Sequence, residues 1–159
     1  MLLPRLKASA PARIINVSSA AHRRARIDFD DLQNRRRYRG FLVYSQSKLA
    51  NIYFTRALAR RLEGTEVTVN ALHPGFVRSR FGRNNRGKGL GPRLFNLLSA
   101  LLAIDPEKGA ATSVYLATAD DLSARNGAYF ANCAEAVPGR QALDEESAER
   151  LWRLSEELA

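Results

Sequence analysis

Two short apolar runs, Arg13-Ile14-Ile15-Asn16-Val17 and Val67-Thr68-Val69-Asn70-Ala71-Leu72, flank a helical stretch and restrict the folds open to this chain. Each run is rich in β-branched residues and nearly continuous in apolar character, the pattern of a strand covered on both faces. Between them, from about Val43 to Leu62, the residues Leu49, Ile52, Tyr53, Leu58 and Leu62 recur at roughly helical period. Gly64 ends that helix, and basic residues in its last turn suit the macrodipole. Strand, helix and strand in this order predict one βαβ unit with a parallel pair and a right-handed crossover. On this reading Arg56, Arg60 and Arg61 face solvent.

The remaining segments are read the same way. Residues 22–41 are polar and basic around a small apolar island at Ile27, Phe29 and Leu32, and predict a loop carrying a short turn or helix. Asp105-Pro106-Glu107 predicts an N-cap with proline at the first helical position, opening a helix to about Ala119. Asn126-Gly127 predicts a turn before a short last strand, and Asp144 a cap for a final helix. In that helix Ala148, Leu151, Trp152, Ser155 and Leu158 share one face. Leu94 to Ile104 is apolar but shorter than the ~20 residues a membrane helix needs, so it reads as a buried or interfacial helix.

In open parallel sheets ligands gather at the carboxyl ends of the strands. Ser18-Ser19 follows the first strand there, and His73-Pro74-Gly75 follows the second. Tyr44 and Lys48, within Tyr44-Ser45-Gln46-Ser47-Lys48, stand four residues apart at the opening of the helix and so project from one face. A tyrosine is a poor base near neutral pH, and an adjacent ammonium favours its phenolate. A serine hydroxyl opposite can hold a carbonyl or alcohol oxygen while charge develops on it. Together these side chains suit carbonyl–alcohol interconversion, with a hydride donor still to be supplied.

Charge and composition narrow the alternatives. Twenty-five Lys and Arg against 16 Asp and Glu give a net charge of +9. The arginines cluster at 23–26, 35–39, 60–61 and 78–86. Such runs suit nucleic acid or an anionic membrane, but they are dispersed among loops and helix flanks with no zinc-finger spacing and no aromatic platform. A solvated basic face is the expectation, with no nucleic-acid partner. Cys133 is the single cysteine, so no internal disulfide forms, and a reducing compartment is the simpler assumption. Met1 to Lys7 lacks the apolar stretch of a secretory signal, which suggests an intracellular protein. His22 and His73 have no further ligands at metal spacing and are read as structural, with no metal expected.

Taken together, Asn16-Val17-Ser18-Ser19, Tyr44-Ser45-Gln46-Ser47-Lys48-Leu49-Ala50-Asn51 and His73-Pro74-Gly75-Phe76-Val77-Arg78-Ser79 resemble the C-terminal half of a short-chain dehydrogenase/reductase. The similarity is greatest to the retinol dehydrogenase-like branch, where a longer loop with a stretch like Ile27-Asp28-Phe29-Asp30-Asp31-Leu32 separates serine from tyrosine. Gly127 to Cys133 and Ala148 to Trp152 also resemble that branch.

The resemblance implies roles residue by residue. Tyr44 is the general acid/base, and Lys48 supports it and holds the nicotinamide ribose. Ser19 orients the substrate oxygen, with Ser18 the alternative. Pro74, Gly75, Val77 and Ser79 surround the nicotinamide carboxamide. It implies hydride exchange between NADP(H), placed ahead of NAD(H), and an apolar alcohol or aldehyde. A cytoplasmic or peripherally membrane-associated location fits, any membrane anchor lying outside this sequence.

One departure qualifies this. No Gly-x-x-x-Gly-x-Gly stretch follows a strand, and Gly87-Lys88-Gly89-Leu90-Gly91 comes only after the second strand. The upstream helix asparagine of the family's active site has no counterpart either. The expected architecture is therefore a single partial domain over residues 1–159, a Rossmann-like doubly wound α/β sheet lacking its glycine-rich first βαβ unit. Residues 80–104 read either as plain core or as a substrate lid, and the resemblance favours the lid. Two functional readings remain: part of an active oxidoreductase, or an inactive chain serving as an interaction module.

Overall fold

In the computed structural model, which describes residues 2–75 and 105–159, the two apolar runs lie side by side as parallel strands. A short helix α1 (Leu3–Ala8) leads into strand β1 (Ala12–Val17) and a 3-10 turn at Ala20–Arg24. Helix α2 (Gly40–Arg61) then crosses to strand β2 (Val67–Leu72). Beyond the undescribed segment come helix α3 (Pro106–Thr118), a 3-10 turn at Asp120–Leu122, and strands β3 (Tyr129–Ala131) and β4 (Ala134–Glu135). A 3-10 turn at Arg140–Leu143 precedes the last helix, α4 (Glu145–Leu158). The sheet order is β1-β2-β3-β4, with the first three strands parallel and β4 antiparallel to β3.

Helices cover both faces of this sheet, which makes it the expected partial Rossmann-like α/β architecture. Val67 and Val69 pack with Leu58 of α2 and its C-cap Leu62, while Leu72 and Phe130 pack with Leu116 of α3 on the opposite face. Every residue of β2 is buried. β1 is half-buried from Ala12 to Asn16 and exposed at Val17, and its outer edge has no strand partner among the described residues. The island of Ile27, Phe29 and Leu32 packs under the loop against the α2 core, as its apolar character suggests.

β3 pairs with β2 through only Ala71↔Tyr129 and Leu72↔Phe130, and two asparagines lengthen that junction. Asn70 donates to the Arg125 carbonyl at 2.7 Å and accepts from the Ala128 amide at 2.9 Å. Asn126 accepts from the Val69 amide at 3.0 Å and donates to the Ala59 carbonyl at 3.0 Å, tying the turn to both β2 and α2. Gly127 takes φ +75° in this turn, and a side chain there would meet Ala59. β4 arises from a two-residue reversal at Asn132 and Cys133, with φ of 51° and 57°. Positive φ at both positions is the backbone of a tight hairpin turn, although the second is not a residue that normally signals one.

One sequence expectation is corrected and two are refined. Arg56, Arg60 and Arg61 do not simply face solvent. Arg56 and Arg60 pair with Glu145, Arg60 reaches Glu149 at 2.6 Å, and Arg61 reaches it at 2.8 Å. Arg61 also lies 4.3 Å over the Trp152 ring, which stacks on Phe54. These residues sit on the α2 face met by α4, so charges that look solvated in one helix become a clamp between two. Asp105 does stand at the N-cap position with Pro106 following it, as expected, but its backbone carbonyl and not its carboxylate makes the bond, accepting the Gly109 amide. Asp144, by contrast, caps α4 as expected, accepting from Glu146 and Ser147. Along the predicted face of α4 burial is confined to the first turns, with Ala148 and Leu151 buried, Trp152 half-buried and Leu158 exposed.

Two outcomes follow from this packing. Glu149 is held down to about 2 from an ordinary 4.5, first by the hydrogen bonds from Arg61 and Arg60. The stabilisation it provides is complete above pH 4.5 and lost as pH falls from there toward 2. Glu149→Gln should therefore cost about 1 kcal/mol near neutrality and flatten the acid limb of a urea-midpoint-against-pH curve. An unchanged acid limb would contradict the clamp. Asn70→Ala should cost about 1–3 kcal/mol by urea denaturation, because the Arg125 carbonyl and the Ala128 amide lose their partner.

Candidate active site

The carboxyl end of β1 is where the candidate groups gather. The Val17 carbonyl accepts from Lys48 Nζ at 3.3 Å and from Asn51 Nδ2 at 3.0 Å. Asn16 donates to Thr55 Oγ1 at 2.9 Å, one turn further along α2. The first half of α2 is thereby pinned to the end of the strand. Helix α2 starts at Gly40, earlier than the sequence suggests, and the Ser45 hydroxyl donates back to the Phe41 carbonyl across its first turn. Tyr44 and Lys48 fall one turn apart as expected, with the Lys48 ammonium 5.6 Å from the Tyr44 ring centroid. The Phe41 ring also neighbours Tyr44, ring centroids 6.5 Å apart. Both Tyr44 and Lys48 are half-buried.

The two serines have different employment. Ser18 is buried, its amide donates to the Leu72 carbonyl at 2.6 Å, and its hydroxyl donates to the Lys48 carbonyl at 2.7 Å. Its proton is thus spent on joining β1, β2 and α2. Ser19 is half-buried, and its Oγ accepts from the Ala21 amide at 3.2 Å, capping the 3-10 turn. That leaves the Ser19 proton as the one a ligand oxygen could receive.

Next to Ser19 lies a ring cluster in which His22 and Tyr129 are buried and His73 is half-buried. His22 meets Tyr129 edge-on at 5.1 Å, and His73 stacks on the same tyrosine at 5.6 Å. His73 Nδ1 and the Tyr129 hydroxyl share a hydrogen bond of 2.7 Å. His22 Nε2 accepts from the Gly139 amide at 2.8 Å, which places the ring proton on Nδ1, where it is donated to the Ser19 carbonyl at 2.6 Å. Both His22 nitrogens therefore serve the backbone, the structural role expected for it. Burial holds His22 and His73 below the ordinary histidine value, helped by the charge of Arg23, and pushes Tyr129 up to about 12. Sequence reasoning left Tyr129 and Gly139 out, because their partners lie more than fifty residues away in the chain.

At the end of β2, His73 donates its amide to the Phe130 carbonyl at 3.1 Å, and Pro74-Gly75 follows. Gly75 has φ +80°, a backbone setting that glycine takes without strain and that turns the chain away from the strand end. Val77, Ser79 and the segment 80–104 read as a lid lie outside the described residues, as does the glycine cluster at 87–91. Lys48 and the Pro74-Gly75 turn, the residues that the resemblance assigns to the nicotinamide end of a dinucleotide, stand at the ends of the neighbouring strands β1 and β2. Among the described residues no glycine-rich turn joins a strand to a helix as a pyrophosphate cradle.

Comparison with known proteins shows the family to which the fold belongs. Residues 1–88 match the family model for short chain dehydrogenase. The chain is 49% identical over 156 residues to mouse retinol dehydrogenase 14, covering 98% of this chain and 47% of that protein. It is 47% identical to human retinol dehydrogenase 13 over 161 residues, with 99% and 49% covered. Among solved structures, an uncharacterised protein from Mycobacterium paratuberculosis superposes with a TM-score of 0.71 at 32% identity, covering 98% of this chain and 52% of that one. The chain thus spans about half the length of the relatives it matches.

The ring cluster predicts a pH response. Because the folded chain holds His22 and His73 below the ordinary value of 6.5, it binds fewer protons than the unfolded chain as pH falls. Stability should be level above that value and decline below it, as the unfolded histidines charge first. Urea midpoints at pH 7.5 and 5.5 check this, and equal midpoints would contradict it.

Proposed function

The chain belongs to the short-chain dehydrogenase family, and on that footing we propose that it carries the proton-transfer half of an oxidoreductase. The reaction is hydride exchange between NADP(H), ahead of NAD(H), and an apolar alcohol or aldehyde. The observation that carries the reading is the different use of the two serines beside Lys48. Ser18 and Lys48 fasten α2 to the strand ends, while Ser19, with its lone pair taken by Ala21, still has a proton to offer at the same edge.

In the reducing direction the Tyr44 hydroxyl gives its proton to the substrate oxygen; in the oxidising direction it takes that proton back. Ser19 donates to the same oxygen and stabilises the charge that builds there. The Lys48 ammonium faces the negative charge left on the phenol oxygen and holds the ribose. Pro74, Gly75, Val77 and Ser79 would hold the carboxamide of a bound dinucleotide. When bound, the dinucleotide supplies or accepts the hydride. The printed names of the relatives support a retinol-like substrate, and exposed Tyr38, Phe41 and Leu42 beside Arg35, Arg36, Arg37 and Arg39 support peripheral contact with anionic lipid. Among the described residues no helix is long and apolar enough to cross a membrane.

The half-buried outer edge of β1 supports a second reading, an interaction module that receives another strand there. Turnover separates the two. It is measured in the chain alone and in a chimera in which the chain replaces the matching 156 residues of mouse retinol dehydrogenase 14. NADPH fluorescence and retinaldehyde reduction are the readouts. Tyr44→Phe should lower kcat by about 10²–10⁴-fold without loss of NADPH binding. Ser19→Ala should lower it by about 10²-fold, whereas Ser18→Ala should cost about 1 kcal/mol of stability and spare kcat. Full turnover by Tyr44→Phe would refute the assigned chemistry. A chimera that binds NADPH but turns nothing over would leave the interaction reading standing.

A further inference from the structure

We propose that His22 is the positioning residue for Ser19, fixing that serine against a C-terminal segment more than a hundred residues away. The proposal rests on the role given to Ser19 above. His22 is completely buried, yet it is not a passive filler. The Ser19 carbonyl accepts twice from it, from the backbone amide at 3.1 Å and from Nδ1 at 2.6 Å. With Ala21 donating to Ser19 Oγ, both the backbone and the side chain of Ser19 are held within one turn. The far side of the imidazole is held equally firmly, by the Gly139 amide on Nε2 and the edge contact with Tyr129.

The approach of the 139 segment is itself built for this ring. A Cβ added at Gly139 would stand 3.0 Å from the Arg23 Cα and 3.3 Å from His22 Cδ2 and Nε2. Glycine is required there because the amide must come close enough to donate. Arg23 strengthens the docking by donating to the Val137 carbonyl at 2.6 Å. An apolar side chain could fill the same volume without the cost of burying two ring nitrogens. An imidazole does something an apolar group cannot: it orders the Ser19 carbonyl through a proton whose position is set by Gly139. The setting of Ser19 toward Tyr44 is thereby decided by the segment after β4 as well as by α2.

The test separates tautomer, geometry and turnover. Long-range ¹H–¹⁵N spectra of the chain should show His22 with its proton on Nδ1; a proton on Nε2 would overturn the proposal whatever the enzyme does. His22→Asn places a carboxamide nitrogen where Nδ1 stood and can still donate to the Ser19 carbonyl. His22→Gln reaches instead toward Gly139 and can accept its amide. Each keeps one of the two bonds, so both should destabilise the fold comparably.

Amide hydrogen exchange at Ala21, which reports the bond to Ser19 Oγ, should stay slow in the Asn variant and become fast in the Gln variant. In the chain or chimera that turns over substrate, Asn should retain kcat within about tenfold, while Gln should lose about 10²-fold with the cofactor KM unchanged. Equal loss in both variants, in step with stability, or full kcat in the Gln variant would overturn the proposal. Failure of the functional reading shows itself separately, as absent turnover in the unsubstituted protein, with the tautomer and exchange results still deciding the role of His22.

Discussion

β2 is the strand on which everything else is hung. It is flanked by β1 and β3, covered by α2 on one face and α3 on the other, and buried at every residue. A strand so enclosed has no freedom of register, because a one-residue slip would exchange the residues facing the two helices. Fixing β2 fixes the line along which β1 ends, and with it the height at which Ser18, Ser19 and the Pro74-Gly75 turn emerge. The Ser18 amide donating to the Leu72 carbonyl carries that alignment one residue past the end of the ladder.

The site at this edge is assembled by polar contacts rather than by apolar packing. Lys48 and Asn51 converge on one carbonyl, and Ser18 closes the other side by donating to the carbonyl of Lys48 itself. Each of these bonds joins helix to strand, so the first turns of α2 cannot rotate without breaking several together. The half-buried Tyr44 and Ser19 hydroxyls sit on a frame stiffened by their immediate neighbours. That arrangement suits chemistry in which the protein must hold a donor in place rather than close around a large surface.

How far this was legible in the sequence differs from residue to residue. β1, α2 and β2 were legible because apolar periodicity is a local property that the tertiary fold merely uses. Tyr44 and Lys48 were legible because their spacing puts them on one face of any helix. The arginine clamp was not: Arg56, Arg60 and Arg61 form a plausible solvent face until α4 is laid across them. The β3–β4 reversal was hidden because Asn132-Cys133 lacks a glycine. Asp105 has the residue type of a cap without the side-chain bond, since residue preference sets the odds of a cap but not its geometry.

The sequence by itself determined the class of fold, the pairing of a tyrosine with a lysine, and the resemblance to a dehydrogenase family, all of which depend on spacing within short segments. Only the tertiary structure gave the two serines different partners, because adjacent hydroxyls differ solely in what the fold brings to each. It gave Ser18 the carbonyl of Lys48 and Ser19 the amide of Ala21. It also brought Gly139 to His22, a contact that no local pattern encodes because its two members are held together by packing across the whole domain.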